Sequence, residues 1–208
     1  MYKSDDETTV AKYLKGFDEI VVREEELANK LSALLNRKVD CVCDPTMLID
    51  PKIWGSYLKQ NNQEDYCLMY FDDNEGNVSK AIKEYAEQNN IDAKKIGYDF
   101  WIINRAGCEN MEVYTITDFL SAIANTKMLF TASYHGMLFA VYFHVPFIYY
   151  NKDSYRLEMV AKKLGLEGRN GNKYGVNQMK EIDWQQVDEK REHFRTYSLE
   201  ILKSMLKV

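Results

Sequence analysis

The chain has 208 residues, of which 46% are hydrophobic and 28% charged, and its formal net charge is −5 at pH 7. This composition is typical of a packed globular protein and excludes a disordered one. Lysine and arginine are scattered along an acidic chain, so we find no basic stripe and expect no nucleic-acid partner.

The N-terminus and the apolar segments indicate a protein that is neither secreted nor membrane-spanning. Residues Met1–Glu7 are polar and acidic, which is unlike a signal peptide. The longest apolar run, Met137–Tyr150, is interrupted by His144 and Pro146. It is shorter than the roughly 18 residues that a membrane helix needs. We therefore predict a cytoplasmic location.

Residues 1–60 are predicted to form the remnant of an N-terminal α/β domain plus a linker. In chain order we expect a strand over Glu19–Val22, a helix over Arg23–Leu35, a strand over Val39–Cys43, and a short helix or linker over Pro51–Leu58. So few elements cannot close a layer of their own. We expect missing sequence, a partner such as a second copy of the chain, or the main domain to cover them.

Residues 61–208 are predicted to form a second domain, in which strands and helices alternate. The expected elements are strand Tyr66–Phe71, helix Val78–Gln88, strand Lys95–Asn104, helix Thr117–Asn125, strand Met128–Ala132, helix Tyr134–Phe143, strand Phe147–Tyr150, helix Ser154–Leu164 and helix Trp184–Leu206. Such alternation is typical of βαβ units and a mostly parallel sheet. The predicted fold class is α/β.

The strand-to-helix junction Thr131–Gly136 is the best candidate for chemistry. In parallel sheets, ligands bind beyond the carboxyl ends of the strands. Ser133 can cap the following helix, and Gly136 can let a ligand approach the backbone. The start of that helix suits a phosphate or carboxylate, and His135 adds a side chain of the type that titrates near neutral pH. The alternative is a helix cap with a hydrogen-bonded histidine.

Three arginines are further candidates for binding an anion. Arg23 precedes Glu24–Glu26 at a helix start, where acidic residues are favourable and a cation is not. It is predicted either to meet an anionic ligand or to form a surface ion pair with Glu25 or Glu26. Arg156 and Arg169 flank helix Ser154–Leu164, and either could reach an anion.

The cysteines do not predict a metal site. Cys41 and Cys43 form one close pair, but Cys67 and Cys108 are far from each other in the sequence. A zinc site would need a second close pair, so we expect buried, reduced thiols. Motifs for nucleotide phosphates or for a metalloprotease are absent from the sequence.

Three sequence blocks occur in an order and spacing that together are fairly specific. They are Val22-Arg-Glu-Glu25, Asp44-Pro-Thr-Met-Leu48, and Thr131-Ala-Ser-Tyr-His-Gly136 followed by Pro146-Phe147. In these blocks, and from about residue 13 to residue 170, the chain resembles the polysaccharide pyruvyl transferase family. Tyr134 stands where phenylalanine is commoner, and Ser133 stands where family members often carry arginine.

The resemblance implies a GT-B-like two-domain fold with the active site in the cleft between the domains. This chain would supply the Rossmann-like C-terminal, donor-binding half, and the first domain would be largely absent. The implied reaction moves pyruvate from phosphoenolpyruvate to a saccharide acceptor, free or lipid-linked, without a further cofactor. His135 would be the acid or a phosphate ligand. Arg23, Ser133, Tyr134, Gly136 and Arg156 would bind substrate.

Two other functions stay open. One is a GT-B-like glycosyltransferase that uses a nucleotide sugar at the same helix start. The other is a non-catalytic remnant that binds an anion or a partner protein.

Overall fold

The computed structural model of the chain describes residues 4–59, 65–71, 76–96, 108–151 and 155–206. Its strands are β1 (Val21–Val22), β2 (Asp40–Cys41), β3 (Tyr66–Tyr70), β4 (Asp92–Ile96), β5 (Glu109–Asn110), β6 (Met128–Thr131) and β7 (Phe147–Tyr149). Its helices are α1 (Ser4–Leu14), α2 (Glu25–Leu35), α3 (Pro45–Leu48), α4 (Pro51–Gly55), α5 (Asn77–Asn89), α6 (Ile116–Ala124), α7 (Tyr134–Tyr142), α8 (Tyr155–Leu164) and α9 (Trp184–Leu206). Short 3-10 turns cover Glu167–Arg169 and Val176–Gln178.

Two compact units make up the chain, and each is described by itself. Residues 1–48 and 189–208 form the first unit, and residues 49–188 form the second. The later part of α9 thus belongs with the N-terminal residues. The predicted domain division at residue 60 stays a prediction.

The first unit is built around a two-stranded parallel sheet in which β1 pairs with β2. Helices α1 and α2 enclose its small core, to which Ala28, Leu31 and Val39 contribute. The later part of α9 is tied to the same unit because Ser198 Oγ accepts a hydrogen bond of 2.8 Å from the Cys43 amide. The final helix therefore helps to complete a unit that the N-terminal residues alone leave small.

The second unit holds a five-stranded sheet in which all neighbouring strands are parallel. The strand order is β5-β4-β3-β6-β7. The chain starts in the centre at β3, moves outward through β4 to β5, and returns to the other side of β3 for β6 and β7. This is the doubly wound, Rossmann-like arrangement, and its topological switch point lies between β3 and β6. The predicted α/β class with a parallel sheet and flanking helices is confirmed.

Both faces of this sheet are buried, as expected for parallel strands. On one face Cys67, Met69 and Phe130 pack with the apolar side of α5. The alternate residues, such as Leu68 and Leu129, are fully buried on the other face. The sheet is therefore a rigid platform for the loops at its ends.

Several predicted boundaries differ from the structure. Strands β1 and β2 have only two residues each, and α2 begins at Glu25 rather than at Arg23. Strand β4 begins at Asp92 because Asp92 pairs with Tyr66, although the polar sequence there does not look like a strand. The later part of the predicted strand Lys95–Asn104 lies outside the described residues. Helix α1 and strand β5 were not predicted.

The start of α6 was also predicted slightly too late. The helix begins at Ile116, and its cap is Thr115 rather than a residue at position 117. The Thr115 hydroxyl accepts a 3.1 Å hydrogen bond from the Asp118 amide, while the Asp118 carboxylate accepts one of 2.9 Å from the Thr115 amide. This reciprocal capping box fixes the helix start.

The four cysteines are free thiols, as predicted, and three of them are buried. Burial, followed by the nearby Cys108 thiol, raises the pKa of Cys67 to about 12. Across the described ranges, no group of three or more His, Cys, Asp and Glu side chains could hold a metal ion. None of the helices in the described part of the chain has the length and apolar character that a bilayer crossing requires.

Candidate functional site at the sheet switch point

Hydrogen bonds to the neighbouring strand fix the junction between β6 and α7. The Ala132 amide donates to the carbonyl oxygen of Phe71 over 3.1 Å. The fully buried Thr131 donates from its hydroxyl to the Tyr70 carbonyl oxygen over 2.5 Å and accepts from the Ser133 amide over 2.9 Å. The loop that leads to the helix is therefore held at the carboxyl end of β3.

Helix α7 begins as the sequence predicted, with Ser133 as its N-cap. The Ser133 backbone is extended, and its hydroxyl oxygen accepts a 3.3 Å hydrogen bond from the Gly136 amide. A Cβ on Gly136 would lie 2.8 Å from Thr131 Oγ1 and 2.9 Å from Tyr70 Cδ1. Close packing of the helix start on the strand ends therefore explains the glycine. Approach of a ligand to its backbone stays a prediction.

His135 is exposed at the second position of α7. The rest of the helix, Gly136–Tyr142, is buried, so the helix body is fixed in the core. The half-buried Tyr134 places its ring nearly perpendicular to the imidazole, with 5.5 Å between the ring centroids. An imidazole is thus presented at the positive end of a helix dipole, which attracts anions.

Two aromatic residues beside this junction, Phe71 and Tyr70, were not among the predicted site residues. Phe71 follows β3, has the positive φ of 61°, and is 54% exposed. A left-handed conformation is uncommon for a bulky residue and often marks a functional position. The Tyr70 ring lies 4.8 Å from the rings of both Phe71 and Phe119. The strand pattern of Tyr66–Phe71 could not have indicated this conformation.

The first turn of α6 lies close to this junction, because Phe119 contacts Tyr70. Its carboxylate, Asp118, forms an ion pair with Lys59. The ion pair with Lys59, followed by the hydrogen bond to Thr115, lowers the pKa of Asp118 to about 2. Lys59 therefore already has a carboxylate partner and is a weak candidate for a substrate ligand.

Arg156 is exposed in the first turn of α8, which follows the carboxyl end of β7. Because β7 pairs in parallel with β6, α7 and α8 begin at the same edge of the sheet. The fold therefore places Arg156 at the edge where His135 lies. Its contact with a substrate stays a prediction.

Arg23 belongs to the other unit and precedes α2 instead of lying inside it. Its guanidinium forms a 2.5 Å ion pair with the buried carboxylate of Asp44. The other oxygen of Asp44 accepts from the Thr46 amide over 3.0 Å. Asp44 is thus one partner of Arg23 that was not predicted, and the contacts expected with a ligand or with Glu25 or Glu26 stay predictions. This ion pair joins two of the three sequence blocks.

Arg169 is buried and does not lie at the carboxyl edge of the sheet. Its Nε donates to the Phe147 carbonyl oxygen over 2.7 Å, and its Nη1 donates to that of Lys180 over 3.0 Å. Because Phe147 opens β7, Arg169 lies at the amino edge of the sheet. Arg169 therefore lies away from the edge that carries His135, and its predicted contact with an anion stays a prediction. Burial lowers its pKa to about 10.

The switch point of the sheet thus carries the consecutive residues Ser133, Tyr134, His135 and Gly136. Doubly wound sheets bind their ligands at this point. An exposed imidazole on a fixed helix can donate or accept a proton. The helix start beside it favours a negatively charged group. Proton transfer to a bound anion is the chemistry that this arrangement suits.

A family model described as polysaccharide pyruvyl transferase matches residues 3–154. The chain belongs to the polysaccharide pyruvyl transferase family. The matched range contains the blocks around Arg23, Asp44 and His135, so the resemblance seen in the sequence is confirmed. Membership of the polysaccharide pyruvyl transferase family assigns the chain to a family of transferases.

Similar solved structures include a protein described as a UDP-N-acetylglucosamine 2-epimerase from Listeria monocytogenes. It is 14% identical with a TM-score of 0.45, and the match covers 68% of this chain and 44% of that one. The UDP-GlcNAc 2-epimerase from Methanocaldococcus jannaschii is 15% identical with a TM-score of 0.40, covering 68% and 41%. This pyruvyl transferase family member thus spans less than half the length of either. A search of curated proteins found no match.

Proposed function

We propose that this chain transfers pyruvate from phosphoenolpyruvate to two hydroxyl groups of a hexose, as a ketal on a surface polysaccharide or its precursor. The observation that carries the proposal is the exposed imidazole of His135 at the start of a buried helix, at the switch point of the sheet. Family membership supports the reaction class. Phosphoenolpyruvate is the donor substrate, and the reaction needs no further cofactor.

The first step is a proton transfer to the donor. His135 in its protonated form gives a proton to the methylene carbon of phosphoenolpyruvate, which becomes a methyl group. The adjacent carbon, which carries the carboxylate and the phosphate ester oxygen, becomes electrophilic. A hexose hydroxyl attacks that carbon and loses its proton.

The second half of the reaction closes the ketal. The bond between the former enol carbon and the phosphate oxygen breaks, and inorganic phosphate leaves. A second hydroxyl of the same hexose attacks the carbon and loses its proton. The products are the pyruvyl ketal and phosphate, and no oxidant or reductant is consumed.

Groups at the start of α7 are suited to hold the donor anion. Among the described residues the Ser133 hydroxyl accepts one hydrogen bond and donates none, so it can donate to a phosphate or carboxylate oxygen. The helix dipole adds a favourable field, and the exposed Arg156 adds a charge at the same edge. Ser133 thereby partly replaces the arginine that many family members carry there.

The proposal is tested by incubating the chain with phosphoenolpyruvate and methyl glycosides of glucose, galactose and mannose in D₂O. We expect release of inorganic phosphate and a ketal methyl group that carries deuterium, because the transferred proton comes from an exchangeable group. His135→Asn should lower the rate by roughly 10²- to 10⁴-fold, the usual contribution of a general acid. His193→Asn, which changes an exposed histidine in α9, should retain the rate.

The alternative functions predict different results in the same assay. A glycosyltransferase would consume a nucleotide sugar such as UDP-glucose and leave phosphoenolpyruvate intact. A non-catalytic remnant would turn over neither donor, and His135→Asn would change nothing. Either result would refute the pyruvyl transfer proposed here.

A further inference from the structure

A cavity of about 660 Å³ lies at the amino edge of the sheet, opposite the edge that carries His135. Met128, the first residue of β6, and Pro146, just before β7, line it. Its size is within the usual range for small-molecule sites, roughly 300–1,000 Å³. The pyruvyl transfer proposed above does not use this cavity.

Arg169 contributes a buried positive charge to the cavity wall. Its side chain is only 7% exposed. Within the described ranges its guanidinium donates to the carbonyl oxygens of Phe147 and Lys180 and approaches Met128 Sδ at 3.8 Å. All three partners are neutral, and the described residues provide no carboxylate partner. A buried charge of this kind is costly unless an anion compensates it.

The rest of the wall combines apolar and aromatic residues with three side-chain amides and one more cation. Tyr85 and Trp184 supply rings, and the exposed Lys180 supplies a second positive charge. Glu181 is exposed and supplies the carboxylate among the wall residues. Such a wall accommodates a flat apolar body, while Arg169 and Lys180 favour a single anionic group attached to it.

We propose that this cavity is a second binding site, which takes a small molecule with an aromatic or apolar body and one anionic group. The anion pairs with Arg169 and Lys180, and the body lies against Tyr85 and Trp184. Met128 and Pro146 place the cavity at the amino ends of β6 and β7, so a ligand bound there does not occupy the start of α7. A purely structural role for Arg169, holding Phe147 and Lys180 together, would create no preference for charged ligands.

Two matched probes separate these explanations. 8-Anilinonaphthalene-1-sulfonate carries the anionic group, and N-phenyl-1-naphthylamine has the same rings without it. Titration calorimetry of the full chain should show one sulfonate site, with the neutral amine bound about tenfold or more weakly, a difference of roughly 1.4 kcal/mol. The indole N–H signal of Trp184, assigned with Trp184→Phe, should shift with the sulfonate.

Because Arg169 also holds two buried carbonyl oxygens, its replacement could prevent folding, and the test uses variants of two lysines instead. Lys180→Glu reverses the charge at the cavity and should weaken sulfonate binding by about tenfold or more while leaving the neutral amine unchanged. Lys162→Glu makes the same change on an exposed turn of α8, outside the cavity lining, and should alter neither. Equal affinity of the wild type for both probes would overturn the proposal. So would equal sulfonate binding by the two lysine variants.

Discussion

The hydroxyl of Thr131 donates to the carbonyl oxygen of Tyr70 over 2.5 Å, and so ties the end of β6 to the end of β3. The same oxygen accepts from the Ser133 amide, which begins the turn into α7. One buried hydroxyl therefore fixes both the sheet switch point and the start of the helix that presents His135.

Replacing Thr131 by valine should therefore loosen the helix start without creating a cavity. The Tyr70 carbonyl and the Ser133 amide would lose their partner, which costs about 1–3 kcal/mol for buried groups. Urea unfolding measures the loss. Thr131→Ser keeps the hydroxyl and is the control, so an equal loss in both variants would show that the methyl group matters instead.

Gly136→Ala should also destabilise the chain, because the new methyl group meets Thr131 Oγ1 and Tyr70 within 2.9 Å. Overpacking of this kind costs about 1–3 kcal/mol. Gly55→Ala is the matched control, since a Cβ there meets nothing within 4 Å and alanine is the better helix residue. In thermal unfolding, Gly136→Ala should lower the melting temperature, and Gly55→Ala should leave it unchanged or raise it. Equal shifts would mean that α7 is packed less closely than described.

The ion pair between Arg23 and Asp44 predicts a stability effect in the other unit. Arg23→Gln leaves the buried Asp44 carboxylate with fewer partners, so we expect a loss of about 1–3 kcal/mol in urea unfolding. Lys30→Gln breaks an exposed pair with Glu26 one helical turn away and should cost less than about 0.5 kcal/mol. Similar losses in the two variants would contradict a structural role for the Arg23 pair.

The substrate role predicted for Arg23 can be separated from this structural role. Arg23→Gln and Asp44→Asn both break the pair, but only the first removes the cation. If Arg23 binds phosphoenolpyruvate, only Arg23→Gln should weaken its binding, by roughly 1.5–3 kcal/mol. Calorimetry gives the dissociation constant of phosphoenolpyruvate for each variant. An equal change in both variants would show that Arg23 does not bind the substrate.

The low pKa of Asp118 should be visible in a carboxyl NMR titration, with a midpoint of about 2. Lys59→Met removes the first cause of the shift and should move the midpoint upward, toward the ordinary value of 3.8. Lys80→Met, in a different helix, should leave it in place. A midpoint near 3.8 in the wild type would contradict the ion pair.

The same shift predicts how acid affects the start of α6. The folded-state pKa of Asp118 lies below its ordinary value, so its stabilising contribution is fully present above about pH 4 and is lost as the pH falls through about 2. Asp118→Asn should remove this part of the acid dependence. Hydrogen exchange of the first amides of α6 between pH 4 and pH 2 measures it.

The second unit was largely predictable from the sequence because its elements are local and strongly patterned. The apolar runs in Met128–Ala132 and Phe147–Tyr150 come close to β6 and β7, and Ser133 caps α7 as its type and position suggested. Strand β4 was misplaced at its start because its polar residues become a strand only through pairing with β3. Pairing of this kind is a tertiary effect that propensity cannot capture.

The sequence predicted which residues form the site, but not the contacts that hold them in place. The positions of Ser133 and His135 follow from a strand, a cap and a helix in sequence. Three features depend on contacts between distant segments. They are the left-handed backbone of Phe71, the close packing around Gly136, and the ion pair between Arg23 and Asp44. Local sequence patterns do not encode those contacts, which is why Asp44 was not predicted as a partner of Arg23.

The central claim is that the exposed imidazole of His135 lies within reach of a bound phosphoenolpyruvate. The chain has three histidines, so NMR of histidine-labelled protein gives few ring signals, and His135→Gln assigns the relevant one. The account predicts that phosphoenolpyruvate shifts the His135 ring signals in a saturable manner, while uridine diphosphate does not and the His144 signals stay in place. A titration in which phosphoenolpyruvate leaves His135 unchanged, or in which uridine diphosphate alone shifts it, would contradict the account.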